Sequence, residues 1–487
     1  LTYEDFLAFH QRYYHPSNSY IYLYGDMDME ERLAYLDREY LSKYDALAVD
    51  SALATEPPFG QCVLVEKEYS IMESEPEEGN TYLSYNVSLG ENLDREVSVG
   101  FQALADAVVG APGAPVRKAL LDAGIGTDIS SFYEADVKQP YFSIVAKNAE
   151  GEQREAFVSI IEETLKSLSE DGVEKKALRA ALNHDEFKYR EADYGSYPKG
   201  LMYGLQMFET WLYDDKKPFD YLELGETYKT LKKEVDSSFY EEMIRIRLLK
   251  NTHKSVVVVR PVKGLTGKRD KALAKKLAAK KAAMTQEEIA RIVEETEALA
   301  AYQEAPDREE DLKKIPLLAR EDIGKKARPY CNEELHAGDT ALLYHDIYTN
   351  GIGYLRFLFD LRQVPEELFP YVGLLQVMLG LVDTEKRSYS ELYNEIHLQT
   401  GGIVPAVNVY TNADDLSKYK LTFELKVKTL YENLPKAFEL AGEILTESVY
   451  TDAKRLFELV AENRSGKQAQ MMDAGHSLAA GQAVSYL

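Results

Sequence analysis

Apolar residues recur along this chain with two alternating periods, and the changes between them mark the elements. Alternating or continuous apolar runs predict strands at residues 62–66, 82–89, 141–147 and 254–260. Apolar positions spaced by three and four predict long amphipathic helices at 96–109, 153–169, 175–190, 201–213 and 237–249. A second series follows, with strands at 342–345, 353–361, 404–410 and 418–428 and helices at 366–381, 388–398 and 431–445. Ahead of both, residues 1–48 predict a helix opened by the capping-box pattern Thr2-Tyr3-Glu4-Asp5, a turn at His15-Pro16-Ser17-Asn18, a strand at 19–24, then Gly25-Asp26 and another helix. In that strand Tyr20, Tyr22 and Tyr24 alternate with Ile21 and Leu23, so both faces should be at least partly covered. It reads as the closing element of a domain whose body lies upstream.

The two series read as copies of one α+β unit. The run Tyr82-Leu-Ser-Tyr-Asn-Val-Ser-Leu89 matches Tyr354-Leu-Arg-Phe-Leu-Phe-Asp-Leu361 in pattern. Each run is followed by an acidic turn and an apolar helix, Val99–Leu104 in one and Val372–Val377 in the other. Each copy then has a helix ending at glycine (Gly124 and Gly126; Gly401 and Gly402), a strand pair, and a helix opening near Ala156-Phe157 or Ala437-Phe438. The same order at one roughly constant offset means duplicated domains. The expected fold class is therefore α+β, with domains at about 60–260 and 331–487.

Residues 261–330 differ in composition. A Lys/Ala-rich helix spans 268–281, with Lys268, Arg269, Lys271, Lys275, Lys276, Lys280 and Lys281. Thr285-Gln-Glu-Glu288 then caps a second helix carrying Glu294, Glu295 and Glu297, which ends before Ala305-Pro306. One basic and one acidic helix joined by a short turn predict an antiparallel hairpin with complementary faces. A nucleic-acid patch would want interleaved aromatics and no acidic neighbour.

Composition narrows the classes of function. A chain of 487 residues exceeds one core and implies two or three domains. The net charge of −25 argues against nucleic acid as a partner and would suit a cationic peptide, although solubility accounts for it as well. No apolar run approaches the roughly 20 residues that span a bilayer, so no membrane role is expected. Cys62 and Cys331 stand alone and far apart, which excludes a disulfide framework and a cysteine zinc site. They fit a reducing compartment, and a cytoplasmic location is expected. Leu1 and the apolar stretch Ala483–Leu487 read as cuts in a longer polypeptide.

The motifs that carry chemistry are missing from the sequence. A helical zinc site needs two histidines on one face with a glutamate beside them. No two of the histidines at 10, 15, 184, 253, 336, 345, 397 and 476 stand four apart, and His184-Asp185-Glu186 is followed by Phe187-Lys188. All eight are expected to be ordinary surface or capping residues. There is no Gly-x-Ser-x-Gly elbow and no phosphate-binding glycine motif. The expectation is that no catalytic, cofactor-binding or metal-binding residue lies in this chain.

The stretch Tyr14-His15-Pro16-Ser17-Asn18, a strand and Gly25-Asp26-Met27-Asp28 resembles the end of the catalytic domain in the pitrilysin (insulinase) family of zinc peptidases. Duplicated α+β units around a helical hairpin resemble its presequence-protease branch, as do residues 289–297 and Tyr302-Gln303. The resemblance covers essentially the whole chain. It implies the processing-peptidase type of α+β fold, with the tail of domain one at 1–48, domain two at 60–260, a linker at 261–330 and part of domain three at 331–487. It also implies zinc held by an inverted His-x-x-Glu-His motif upstream of Leu1, a fourth domain downstream, and unfolded peptides as substrates. This chain would then wall the chamber and be inactive alone. A family member without metal that serves as a binding or scaffold subunit would share these features.

Overall fold

The computed structural model describes residues 2–326, 329–415 and 417–486. They fall into two compact units, one comprising Leu1–Glu68, Pro76–Pro261 and Gly351–Leu487, the other Tyr69–Glu75 and Val262–Asn350.

The first unit begins with α1 (Tyr3–Tyr13) and α2 (Met29–Glu39). The Thr2 capping box forms as the sequence predicts. The strand expected at 19–24 does not: these residues lie in no ladder among the described residues. Their tyrosine rings are held by side-chain packing instead. Tyr20 meets Trp211 with ring centroids 4.6 Å apart and donates a hydrogen bond to Asp215 at 2.7 Å.

The first α+β repeat runs through β1 (Val63–Ile71), β2 (Thr81–Ser88), α3 (Arg95–Ala105), α4 (Pro115–Asp122), β3 (Asp128–Glu134) and β4 (Tyr141–Ala149). It continues with α5 (Arg154–Asp171), α6 (Lys175–Glu191), α7 (Lys199–Trp211), α8 (Gly225–Glu234), α9 (Phe239–Met243) and β5 (Lys254–Lys263). Its sheet has the order β1-β5-β2-β4-β3. Leu83, Tyr85 and Val87 alternate on the covered face of β2, and Phe157, Ile161 and Leu165 pack one turn apart along α5. Glycines at 200 and 204 let the tyrosines of the 19–24 segment reach the α7 backbone. A Cβ on Gly204 would stand 2.7 Å from the Tyr22 ring, and one on Gly200 would overlap the ring of Tyr24. Gly204→Val should therefore cost about 1–3 kcal/mol, as overpacking does. Hydrogen exchange across residues 19–24 should quicken, while β2 and β4 keep their protection.

The helix expected at 96–109 forms as α3 and then widens into a π-helical turn at Asp106–Gly110. With α4 it makes one run, Arg95–Asp122, long and apolar enough to cross a membrane by length and composition. Polar residues interrupt it throughout, so a search for unbroken apolar sequence does not find it. Two thirds of its most apolar stretch is buried against the sheet and neighbouring helices, as in a core helix (67%).

The other unit holds α10 (Leu265–Ala282), α11 (Gln286–Glu304), α12 (Glu309–Leu312) and a hairpin of β6 (Asn332–Ala337) with β7 (Thr340–His345). The Thr285 capping box opens α11 as expected. Complementary faces do not follow, since no ion pair joins α10 to α11 among the described residues. The charged side chains of both helices point to solvent, where ion pairing contributes little. The strand expected at 342–345 is β7, and it pairs with β6 alone, inside this unit.

The second repeat, again in the first unit, comprises β8 (Ile352–Asp360), α13 (Phe369–Met378), α14 (Tyr389–Gln399), β9 (Gly402–Thr411), β10 (Tyr419–Leu430) and α15 (Leu434–Thr446). Then follow α16 (Ala453–Asp473) and α17 (Gly475–Tyr486). Its sheet order is β8-β10-β9, antiparallel throughout. The first repeat contains the same arrangement as β2-β4-β3, in the same chain order and with helices at corresponding places. The duplication inferred from pattern is thus a duplication of topology.

Candidate functional site

Where the repeats meet, α6 of the first lies along α14 of the second. Lys176 pairs with Glu395 at 2.9 Å, and Asn183 Nδ2 donates to the Leu398 carbonyl at 3.2 Å. The Phe187 ring sits hard against Gly401, where a Cβ would overlap it. Around this seam Arg117 pairs with Glu462 at 2.7 Å, and Ser465 donates to Asp128 at 3.0 Å. Glu191 accepts from Tyr354 at 2.8 Å and pairs with Lys428 at 2.9 Å. The seam therefore joins residues far apart in sequence through charge as well as packing.

Two histidines meet in it. His184 of α6 and His397 of α14 have ring centroids 4.2 Å apart, and Tyr393 packs on His397 at 4.1 Å. His184 Nδ1 is buried without a hydrogen-bond partner. Burial first, then His397 and Lys188, push His184 down to about 3; burial and Lys188 push His397 down to about 4. Both rings are neutral at pH 7. The next residue, Asp185, is pushed up to about 7 by burial, with Asp106 adding to the rise and Lys188 opposing it. Burial also raises Asp106, which the π-helical turn carries into the same cluster. Such a set can exchange protons near neutrality, and perturbed groups of this kind gather at functional sites.

The sequence expectation of ordinary histidines holds for His15, whose Nδ1 caps the turn at Ser17, and fails for His184 and His397. They are 213 positions apart and come together only through the duplicated fold, so no spacing rule could find them. A second group is equally hidden from spacing. Glu209 on α7 is pushed up to about 8 by burial, with Asp136 and Glu134 adding to it.

A pocket of about 260 Å³ opens beside the seam, lined by Glu191, Asp193, Tyr194, Tyr197, Lys199 and Tyr354 among others. Both cysteines are exposed. Among the described residues no three His, Cys, Asp or Glu side chains are placed to hold a metal ion. His184 and His397 lack a third donor, so the residues here do not fit a zinc site.

A two-repeat α+β chain with a helical insertion and no metal-binding set defines a non-catalytic peptidase-type chain. Residues 1–184 match the model of the peptidase M16 inactive domain, and residues 259–487 match that of the associated region of subfamily C of the same peptidases. The chain belongs to the M16 (pitrilysin/insulinase) family. It is 37% identical over 486 residues to protein HypA of Clostridium perfringens, covering 100% of this chain and 50% of that protein. It is 31% identical over 490 residues to presequence protease 1, chloroplastic/mitochondrial, of Arabidopsis thaliana, covering 99% of this chain and 45% of that one. The chain thus spans about half the length of the curated relatives it matches. Among solved structures, pitrilysin matches 97% of this chain over 46% of its own, at 15% identity and a TM-score of 0.47.

Proposed function

We propose that this chain forms the non-catalytic middle of a zinc-dependent peptidase, walling a chamber that admits unfolded peptides. The similarity that runs along essentially all of it, to relatives about twice as long, carries this reading. Two sheets of one topology, each with helices on one face only, suit the part of walls: the helices stiffen the outside and leave a sheet face for an extended chain. Their residues would confine and orient substrate. Zinc, held by residues outside this chain, would supply Lewis-acid chemistry and a low-pKa water. No step of that chemistry falls to side chains described above. Selection by such walls would be steric, favouring chains too disordered to be excluded.

The test is to express the full-length polypeptide beside this chain and measure bound zinc by mass spectrometry and cleavage of an unstructured fluorogenic peptide. The longer protein should carry zinc and lose cleavage on adding a chelator, while this chain should fold and cut nothing. A full-length protein with neither zinc nor cleavage would instead be a scaffold or peptide-binding relative.

A further inference from the structure

The sheet of the second repeat has one face packed under helices, with Phe357, Phe423, Leu425 and Val427 turned inward. By alternation the opposite face presents Arg356 from β8, Glu424 and Lys426 from β10, and Tyr410 from β9. Glu424 lies on this open face and yet is fully buried (0% exposed). It is covered by its neighbours. Tyr410 donates to Glu424 Oε1 at 2.6 Å, and Thr422 donates to the same oxygen at 3.0 Å. Arg356 Nη1 donates to the Tyr410 hydroxyl at 3.2 Å, and its Nε lies 3.7 Å from Glu424 Oε2. That second oxygen is buried with no hydrogen-bond partner. A carboxylate is thus sunk in the sheet beneath a guanidinium and a phenol that meet above it.

This arrangement fixes the guanidinium from below and from the side while leaving about half of the Arg356 side chain exposed (53%). Directly opposite Arg356 in the ladder stands Lys426. Like charges facing each other across strands are destabilising. Lys428, two residues on, is tied to Glu191 and Asp193, whereas no ion pair reaches Lys426 among the described residues. Two cations therefore share one buried carboxylate, on a chain whose net charge is −25. The topology does not require this. The matching positions of the first repeat hold Ser84, Asn86 and Ser143, which hydrogen-bond to one another at 2.7 and 3.0 Å.

We propose that Arg356 and Lys426 form a subsite for a carboxylate group of an unfolded peptide, with Glu424 and Tyr410 as positioning residues. A guanidinium with free N–H groups in a fixed plane suits a carboxylate in two-point contact, and an anion there relieves the cross-strand repulsion. The peptide as ligand rests on the chamber reading. The carboxylate could come from a chain end or from Asp and Glu side chains.

The test measures fluorescence anisotropy of labelled unstructured peptides with this chain. One peptide has no Asp or Glu and an amidated end, a second differs by a free C-terminus, and a third is amidated with one internal Glu. At least one carboxylate peptide should bind about tenfold tighter than the first, as expected for a hydrogen bond to a charged group. Which one does so identifies the source. Lys426→Gln, which leaves the cover over Glu424 in place, should remove most of that preference, and Arg356→Gln should remove it too. Equal binding of all three peptides, or a preference that survives both substitutions, overturns the subsite alone. No binding of any peptide overturns the chamber reading and the subsite together.

Discussion

Replacing Arg387 by alanine should lower the stability of this chain by about 3–5 kcal/mol, the cost of stranding a buried charge. The charge belongs to Glu443 of α15, 2% exposed inside the second repeat. Its Oε1 accepts from Thr384 Oγ1 at 2.7 Å, and its Oε2 meets Arg387 Nη1. The loop from Thr384 to Arg387 is closed by the Thr384 amide donating to the Arg387 carbonyl at 2.8 Å, so the guanidinium is delivered by a short rigid turn just ahead of α14. Remove it and the carboxylate keeps its desolvation penalty with only a hydroxyl for company. Replacing both partners, Arg387→Met with Glu443→Leu, should recover most of the loss, because the pair itself adds little net stability. Urea unfolding of the two variants decides it. Equal losses in both would mean that the packing of α15, and not the charge, is what matters.

Acid should loosen the seam between the repeats through His184 and His397. Both are held below the ordinary histidine value, chiefly by burial, so the folded state keeps them neutral while the unfolded chain protonates them below about 6.5. Their contribution is complete above that value and is lost progressively as pH falls toward about 4 and about 3. At pH 5 the loss reaches about 2 kcal/mol for each ring. Asp185 works in the opposite sense. Its carboxyl is raised from 3.8 to about 7, so the stability it contributes is complete at low pH and lost as pH rises through that value. Asp106, also raised, adds to that side, and Lys188 faces all four groups. The raw pH profile of the chain therefore mixes both signs. Comparing it with His184→Gln/His397→Gln isolates the rings: between pH 7 and 5 the wild type should lose stability relative to the double variant. Parallel profiles would show that the rings stay accessible to protons in the folded chain.

Much of this fold is legible in the order of residues, and the exceptions have physical causes. The strands at 82–89 and 353–361 and their following helices can be read because each buries one face, and burial imposes a period. The tyrosine-rich segment at 19–24 carries the same alternation without becoming a strand. A period of two reports that both sides touch something; it does not report a ladder partner, and here the rings rest on α7. Helix α16 is hard to read because few of its side chains are buried, only Arg455 and Leu459 fully, so no stripe marks it. The groups of functional interest are the least legible. His184 with His397, and Arg356 with Tyr410 and Glu424, are each assembled by helix packing or strand register, and neither leaves a local spacing to recognise. The missing zinc motif, by contrast, could be looked for directly, because two ligands one helical turn apart are a local signal.

The strand order of the first repeat also bears on how the chain reaches its native state. β5 lies between β1 and β2, and its residues 254–259 pair with residues 82–87. The centre of that sheet stays open until nearly the whole repeat has been synthesised, with Val256 and Val258 unburied in the meantime. The second repeat completes its three strands between Ile352 and Leu430, with far shorter loops to close. Loop-closure entropy and contact order favour the compact sheet kinetically. The half made later by the ribosome is therefore the one suited to organise quickly, while the earlier half depends on a strand at its far end. During that wait the bare edge of β2 is the stretch most exposed to mispairing with another chain.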